Sequence, residues 1–360
     1  MKSVYIHIPF CSSICTYCDF CKQLYNTNNV EKYLNALESE IRDRYNDEEL
    51  DTLYIGGGTP SSLNISELNR LFEILKLLHL KNNIEFTFEC NVNDITEELI
   101  LLLKENKVNR ISIGIESFNK EKLKFMERYA EFDDVLNKME MIRNFGIDNI
   151  NVDLMYAIPN ETLKDLKKDL DLIIKLKPDH ISTYSLILEE YTKLSLQEIK
   201  PIDEELELEM YNYIRKKLAK KKYIHYEISN FALTNKESIH NLNYWNNEEY
   251  YGFGLGAHGY IDGIRYENTK NFNKYIEEKF VSKEEIVGFK EKQDYELMLG
   301  FRKINGINLE EFYDKYGVNM QEVYPIKPLV KNKDLIYKDG NIFIHPNKLY
   351  IMNEILLKLI

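Results

Sequence analysis

Tyr5-Ile-His-Ile-Pro-Phe-Cys-Ser-Ser-Ile-Cys-Thr-Tyr-Cys-Asp-Phe20 opens the chain as an apolar strand running directly into Cys11, Cys15 and Cys18, spaced CxxxCxxC. Three thiolates this close can hold three irons of a four-iron, four-sulfur (4Fe-4S) cluster and leave the fourth iron open to a small chelating molecule. A closed cluster or a structural zinc site needs a fourth protein ligand. Cys21 is the only candidate fourth thiol nearby, and no histidine follows closely enough to complete a mixed zinc site, so zinc is the minor reading. Five cysteines in 360 residues are too sparse and too odd for a disulfide framework. No leader-like segment precedes the first strand, and a cytoplasmic location is expected.

Downstream, short β-type runs at 4–10, 52–55, 84–89, 110–115, 149–156 and 180–188 alternate with amphipathic stretches at 30–44, 66–78, 96–105, 131–145 and 162–176. Strand, helix, strand at this spacing means parallel strands with helical crossovers, either a doubly wound sheet or an incomplete barrel. In such folds the site forms at the carboxyl ends of the strands. There this chain places Cys11, then Gly56-Gly-Gly-Thr-Pro60, Glu89-Cys-Asn91, Glu116-Ser117, the run from Asp153 to Tyr156, and Tyr184-Ser185.

The glycine run lacks side chains, so its backbone can adopt positive φ and approach a ligand; standing alone it reads as a tight strand-to-helix turn. Glu89 and Asp153 suit ribose hydroxyls or an ammonium group, or else a helix cap or ion pair. The balance of 47 basic against 59 acidic side chains, −12 overall, argues against binding nucleic acid by phosphate neutralisation. No apolar run approaches the 18 residues of a membrane span.

The cysteine motif resembles that of the radical S-adenosylmethionine (SAM) superfamily, whose fold is an incomplete (β/α)6 barrel. Further segments sharpen the likeness: Gly56-Gly-Gly-Thr-Pro-Ser61, Arg110-Ile-Ser-Ile-Gly-Ile115, Asp153-Leu-Met-Tyr-Ala-Ile-Pro159, His225-Tyr-Glu-Ile-Ser-Asn-Phe-Ala232 and His240-Asn-Leu-Asn-Tyr-Trp245. Nearly end to end, these are similar to the oxygen-independent coproporphyrinogen III oxidases and their heme-chaperone relatives. The HNxxYW segment, and only three residues before the first strand where the oxidase has an extension, resemble the heme-chaperone branch. The resemblance implies a cluster on Cys11, Cys15 and Cys18. It implies a SAM pocket at Tyr5, Tyr17, Gly57, Gly58, Thr59, Glu89, Glu116, Arg128 and Asp153. Departures are Phe20 with Cys21 one place later where the oxidase has cysteine, Glu116 for glutamine, Tyr129 for histidine and Cys90 for a small residue. They leave the cluster ligands intact and bear on the oxidase's second SAM site.

His240, Tyr244 and Trp245 are chemically suited to heme, since a histidine can ligate iron and an indole can lie against a porphyrin face. The bland reading is that this segment docks an appendage on the barrel. His258, among glycines, is a weaker ligand candidate. Beyond 282 the pattern changes, with helices expected at 283–304 and 308–316 and a hairpin at 334–345 around Asp339-Gly340. This suggests a small winged-helix-like α+β domain, covering the barrel or meeting a partner. The expected organisation is a radical SAM core over 1–232, a connecting segment over 233–282 and a C-terminal domain over 283–360. The resemblance implies a chaperone that binds heme, the cluster and SAM and delivers heme to acceptor proteins. Its rival is the oxidase, and another radical SAM enzyme is the third reading. An electron donor for the cluster is a further expected partner; dimerisation and peripheral membrane contact stay open.

Overall fold

A computed structural model describes residues 2–190, 192–197 and 199–360. All six expected strands form: β1 (Ser3–Ile8), β2 (Leu50–Gly57), β3 (Leu80–Asn91), β4 (Arg110–Glu116), β5 (Asn149–Tyr156) and β6 (His180–Ser185). They pair in parallel and in chain order. The helices between them are α1 (Thr27–Arg44), α2 (Ile65–Leu75), α3 (Glu97–Glu105), α4 (Lys120–Met126), α5 (Phe132–Asn144) and α6 (Leu163–Lys175). A doubly wound sheet reverses its order at a switch point. Here the order never reverses, so right-handed crossovers put every helix on one face and the sheet curls into a barrel. The barrel is incomplete, since β1 and β6 pair outward with other strands rather than with each other.

Period-two alternation gives the strands two different faces. Val4, Ile6 and Ile8 are buried in one apolar layer with Val30, Leu34 and Leu37 of α1. The inner face is polar and internally bonded. Thr52 donates to Ser3 at 2.8 Å, Asn151 donates to Ser112 at 2.8 Å, and the Asn151 carbonyl accepts from His180 at 2.6 Å and Ser182 at 3.1 Å. Arg110 is buried among these groups, its Nη1 donating to Thr87 at 3.4 Å. The helices start where local chemistry satisfies their free N–H groups. Asn64 with Glu67, and Thr162 with Asp165, close capping boxes on α2 and α6.

Residues 233–282, expected as a connecting segment, contribute three strands and the start of a fourth to the same sheet. After α7 (Glu204–Lys220) come β7 (Ile224–Glu227), β8 (Asn230–Ala232), α8 (Ile239–Trp245), β9 (Tyr250–Phe253), β10 (His258–Ile261), β11 (Ile264–Asn268) and β12 (Val281–Ile286). The full order is β12-β11-β10-β9-β1-β2-β3-β4-β5-β6-β8-β7, twelve strands among the described residues. The helix expected over 283–304 is corrected at its start: residues 281–286 are an edge strand and the helix is Phe289–Gly300. Lys283-Glu-Glu-Ile286 is charged on both faces and has no apolar alternation to mark it as a strand. In the fold its charges make cross-strand pairs of opposite sign, Lys283 opposite Glu267 and Glu285 opposite Arg265. The sixth strand ends at Ser185, short of the expected 188. The remainder is a small α+β unit with a three-stranded antiparallel sheet. Its hairpin turns at Asp339 and Gly340, both at positive φ as a two-residue turn requires. No described helix is long and apolar enough to cross a membrane.

Candidate functional site

Phe10–Cys11 pairs with Gln23–Leu24 and draws closed the loop that carries Cys15 and Cys18. The three cysteines line one cavity of about 400 Å³ at the carboxyl ends of the strands, and every SAM position read above except Tyr5 lines it with them. All five cysteines are free of disulfides. Among the described residues no three His, Cys, Asp or Glu side chains converge on a point that would hold one metal ion; thiolates that each take a different iron of a cluster need no such convergence. Burial pushes the Cys11 thiol up to about 11, against the Thr59 hydroxyl 3.6 Å away, and raises Cys18 as well. A free thiol there stays protonated, so a thiolate is stable only against a cation such as iron, which the donor set fits.

Arg128 ties the ends of β3 and β4 to the cysteine loop. Its Nη1 donates to Asn91 Oδ1 at 2.8 Å and lies 3.7 Å from Cys15 Sγ; Nη2 donates to the Gly114 carbonyl at 2.5 Å and lies 3.6 Å from Glu116. Three carboxylates share the wall. Glu89 accepts from the Tyr54 hydroxyl at 2.6 Å and the Gly57 N–H at 3.1 Å, and Asp153 accepts from Asn151 at 2.9 Å. Glu116 ends β4 in the left-handed region, at φ 67°. Gly57, at φ 118°, leaves the space that the His7 ring fills. A pocket with these carboxylates suits a ligand that carries a cation and hydroxyl groups.

A second cavity, about 500 Å³, shares Phe20, Gly57, Glu89 and Tyr184 with the first, and Tyr5 lies in its wall. Its other side is α8 with His240, Tyr244 and Trp245, faced by Glu227 and Arg302. Glu85 seats α8 by accepting from the N–H groups of Ile239 and His240, both at 2.9 Å. His240 is buried with Nδ1 2.7 Å from Thr52 Oγ1 and Nε2 2.8 Å from the Tyr244 hydroxyl. Burial pushes its pKa down to about 3, so the ring is neutral. The docking reading and the ligand reading of HNxxYW therefore meet in one helix. His258 is exposed at the start of β10 and lines neither cavity.

Comparison with known proteins agrees with this architecture. The radical SAM superfamily model matches residues 5–173. The heme chaperone HemW of Lactococcus lactis subsp. lactis is 40% identical over 94% of this chain and 91% of its own length, and that of Bacillus subtilis 39% over 90% and 89%. The chain belongs to the HemW family. Its fold is also that of coproporphyrinogen III oxidase (HemN) from Escherichia coli, a radical SAM enzyme, at a TM-score of 0.86 over 99% of this chain and 89% of that one; at 19% identity the likeness speaks to fold alone. The radical SAM fold of this HemW-family chain implies a 4Fe-4S cluster and SAM.

Several wall residues of this HemW-family site escaped the sequence reading. Tyr54 lies between Thr52 and Gly56 on the inner face, and strand alternation alone points it inward. Glu227 was quoted only as part of a family segment, and Arg302 carries no local signal at all. Burial pushes Glu89, Glu116 and Glu227 each up to about 7. The folded chain then holds protons that the unfolded chain, with carboxyls near 4.5, has released, so these groups lower stability as pH rises toward 7. Buried His7, His225 and His240, pushed down to between about 3 and 4, act in the opposite sense but only below about 6.5. The melting temperature of the ligand-free protein is therefore expected to fall between roughly pH 6.5 and 7.5, less steeply in Glu89→Gln. Calorimetry at three pH values checks this; a flat or rising trend contradicts it.

Proposed function

We propose that this protein is a heme chaperone. In this reading Cys11, Cys15 and Cys18 carry a 4Fe-4S cluster, the adjoining cavity binds SAM, the aromatic cavity binds heme, and the heme passes to acceptor proteins. The observation that carries it is the second cavity: an aromatic space with a histidine in its wall, directly adjoining the cysteine-lined one. Family membership, with relatives named heme chaperone HemW at 40% and 39% identity, supports it.

Within the reading, Gly57, Gly58 and Thr59 bring backbone to the amino-acid end of SAM. Glu89, Glu116 and Asp153 meet its cation and ribose hydroxyls, Arg128 braces the pocket, and Tyr17 closes it, while Tyr5 lies in the wall of the adjoining aromatic cavity. When bound and reduced by an electron donor, the cluster supplies the electron that breaks a carbon–sulfur bond of SAM. The chain's own part is to orient that ligand and keep water from it.

A second reading, oxidative decarboxylation of coproporphyrinogen III, is compatible with the fold shared with the Escherichia coli oxidase. Anaerobic incubation of the reconstituted protein with SAM, reductant and coproporphyrinogen III separates the two. The chaperone reading expects no protoporphyrinogen while cluster, SAM and heme are all bound; many turnovers would overturn it. His240→Ala is expected to weaken heme binding by roughly tenfold or more and remove the histidine signature from the spectrum. An unchanged titration removes His240 as a ligand.

A further inference from the structure

The surroundings of His240 settle which ring nitrogen is available. The Thr52 hydroxyl has one proton, and that proton is donated to Ser3 Oγ at 2.8 Å. Toward His240 Nδ1, 2.7 Å away, the same oxygen can only accept, so Nδ1 carries the ring proton and Nε2 carries the lone pair. The group on that lone pair is the Tyr244 hydroxyl, donating at 2.8 Å.

Everything else about the histidine is held. Its backbone N–H donates to Glu85, Nδ1 is bonded, and the ring lies at 5.2 Å and 34° to the Tyr54 ring. Tyr244 is held less. Its ring packs edge-on against His240 and Tyr250, and it lines both the 500 Å³ cavity and a separate space of about 170 Å³ bounded by Tyr250, Arg265 and Leu299. Tyr244 thus borders two cavities, and the smaller one adjoins its ring.

We propose that Tyr244 is a latch on the iron-ligating nitrogen of His240. With no metalloporphyrin in the aromatic cavity its hydroxyl covers the Nε2 lone pair. When an iron porphyrin enters, the O–H···N bond breaks, the ring moves toward the smaller space with its proton retained, and the freed lone pair forms the bond to iron. Return of the hydroxyl competes with that bond and helps the ligand leave. A metal-free porphyrin offers nothing to exchange for the O–H···N bond and leaves the latch closed. The inference rests on the reading that heme occupies this cavity.

The test titrates the full-length protein, its Tyr244→Phe and His240→Ala variants and the double variant with iron protoporphyrin and with metal-free protoporphyrin, following absorbance and electron paramagnetic resonance. Phenylalanine keeps the ring and removes only the hydroxyl. The latch expects Tyr244→Phe to bind the iron porphyrin roughly 2- to 10-fold tighter, through slower release, with a stronger histidine-ligated signal and unchanged binding of the metal-free ring. It also expects the gain to vanish in the double variant. Iron-porphyrin binding that is histidine-ligated but unaffected or weakened by Tyr244→Phe overturns the latch and leaves the heme reading standing, as does a gain that survives His240→Ala. Absence of histidine-ligated heme in every form overturns the heme reading and the latch together.

Discussion

Cys15→Ala is expected to leave less than roughly one-tenth of the wild-type iron and to abolish the visible absorption of the cluster. The fourth iron has no protein ligand in this motif, so removing one thiolate leaves two irons without protein support. Cys21 does not substitute: it lines neither cavity, and its carbonyl is held by His7 Nε2 at 2.7 Å. Cys15 is half-buried on a loop outside the apolar core, so the far-ultraviolet circular dichroism should stay at the wild-type level. Iron and sulfide analysis after anaerobic reconstitution checks this. Four irons per chain in the variant would remove Cys15 from the ligand set.

Gly58→Ala, a change of one methyl group, is expected to be almost as damaging. A Cβ at 58 would lie 2.8 Å from the Pro9 carbonyl carbon and 2.9 Å from both Phe10 O and Cys11 Sγ. Two of these are backbone atoms that cannot rotate aside. The same two turns are stapled by Gly58 N–H to Ile8 O and Thr59 N–H to Phe10 O, both 2.8 Å. Alanine must part the glycine run from the cysteine turn by a few tenths of an ångström, moving Cys11 and the backbone facing the SAM cavity together. Cluster content and SAM affinity should both fall by roughly 10- to 100-fold. Iron analysis with equilibrium dialysis of SAM reads both, and wild-type values would mean the turn opens freely.

The barrel and its cysteine-lined end were legible because both are local. Strand alternation, helix caps and the residues after each strand are written in adjacent positions, and the six parallel strands came out within a few residues. What separates a barrel from a doubly wound sheet is strand order, a property of pairing that no single segment carries. β7 to β12 were missed for a related reason. They are short, and residues such as Lys283-Glu-Glu-Ile286 become a strand only because Ile264–Asn268 supplies opposite charges across the ladder. At the site, residues next to quoted segments were found. Tyr54, Glu227 and Arg302 meet through the fold from three distant stretches, and only the first has a local signal, its inward parity.

The parallel pairing of Ser3 with Tyr250 has a consequence for biosynthesis. One edge of the opening strand is filled by β2 soon after it is made, but the other waits for β9. At roughly 5–20 residues per second that wait lasts some 10–50 s. Throughout it, Ser3-Val-Tyr-Ile-His-Ile8 offers an open apolar edge of the kind that recruits other chains. Helix α8, which closes the inner face over Thr52 and Glu85, emerges in the same late interval. β1 is thus completed only by a strand made more than 240 residues after it. The nascent chain must be shielded until residue 253 is free, and a fragment ending near 232 would keep the cysteines yet lose the edge partner of the strand that leads into them.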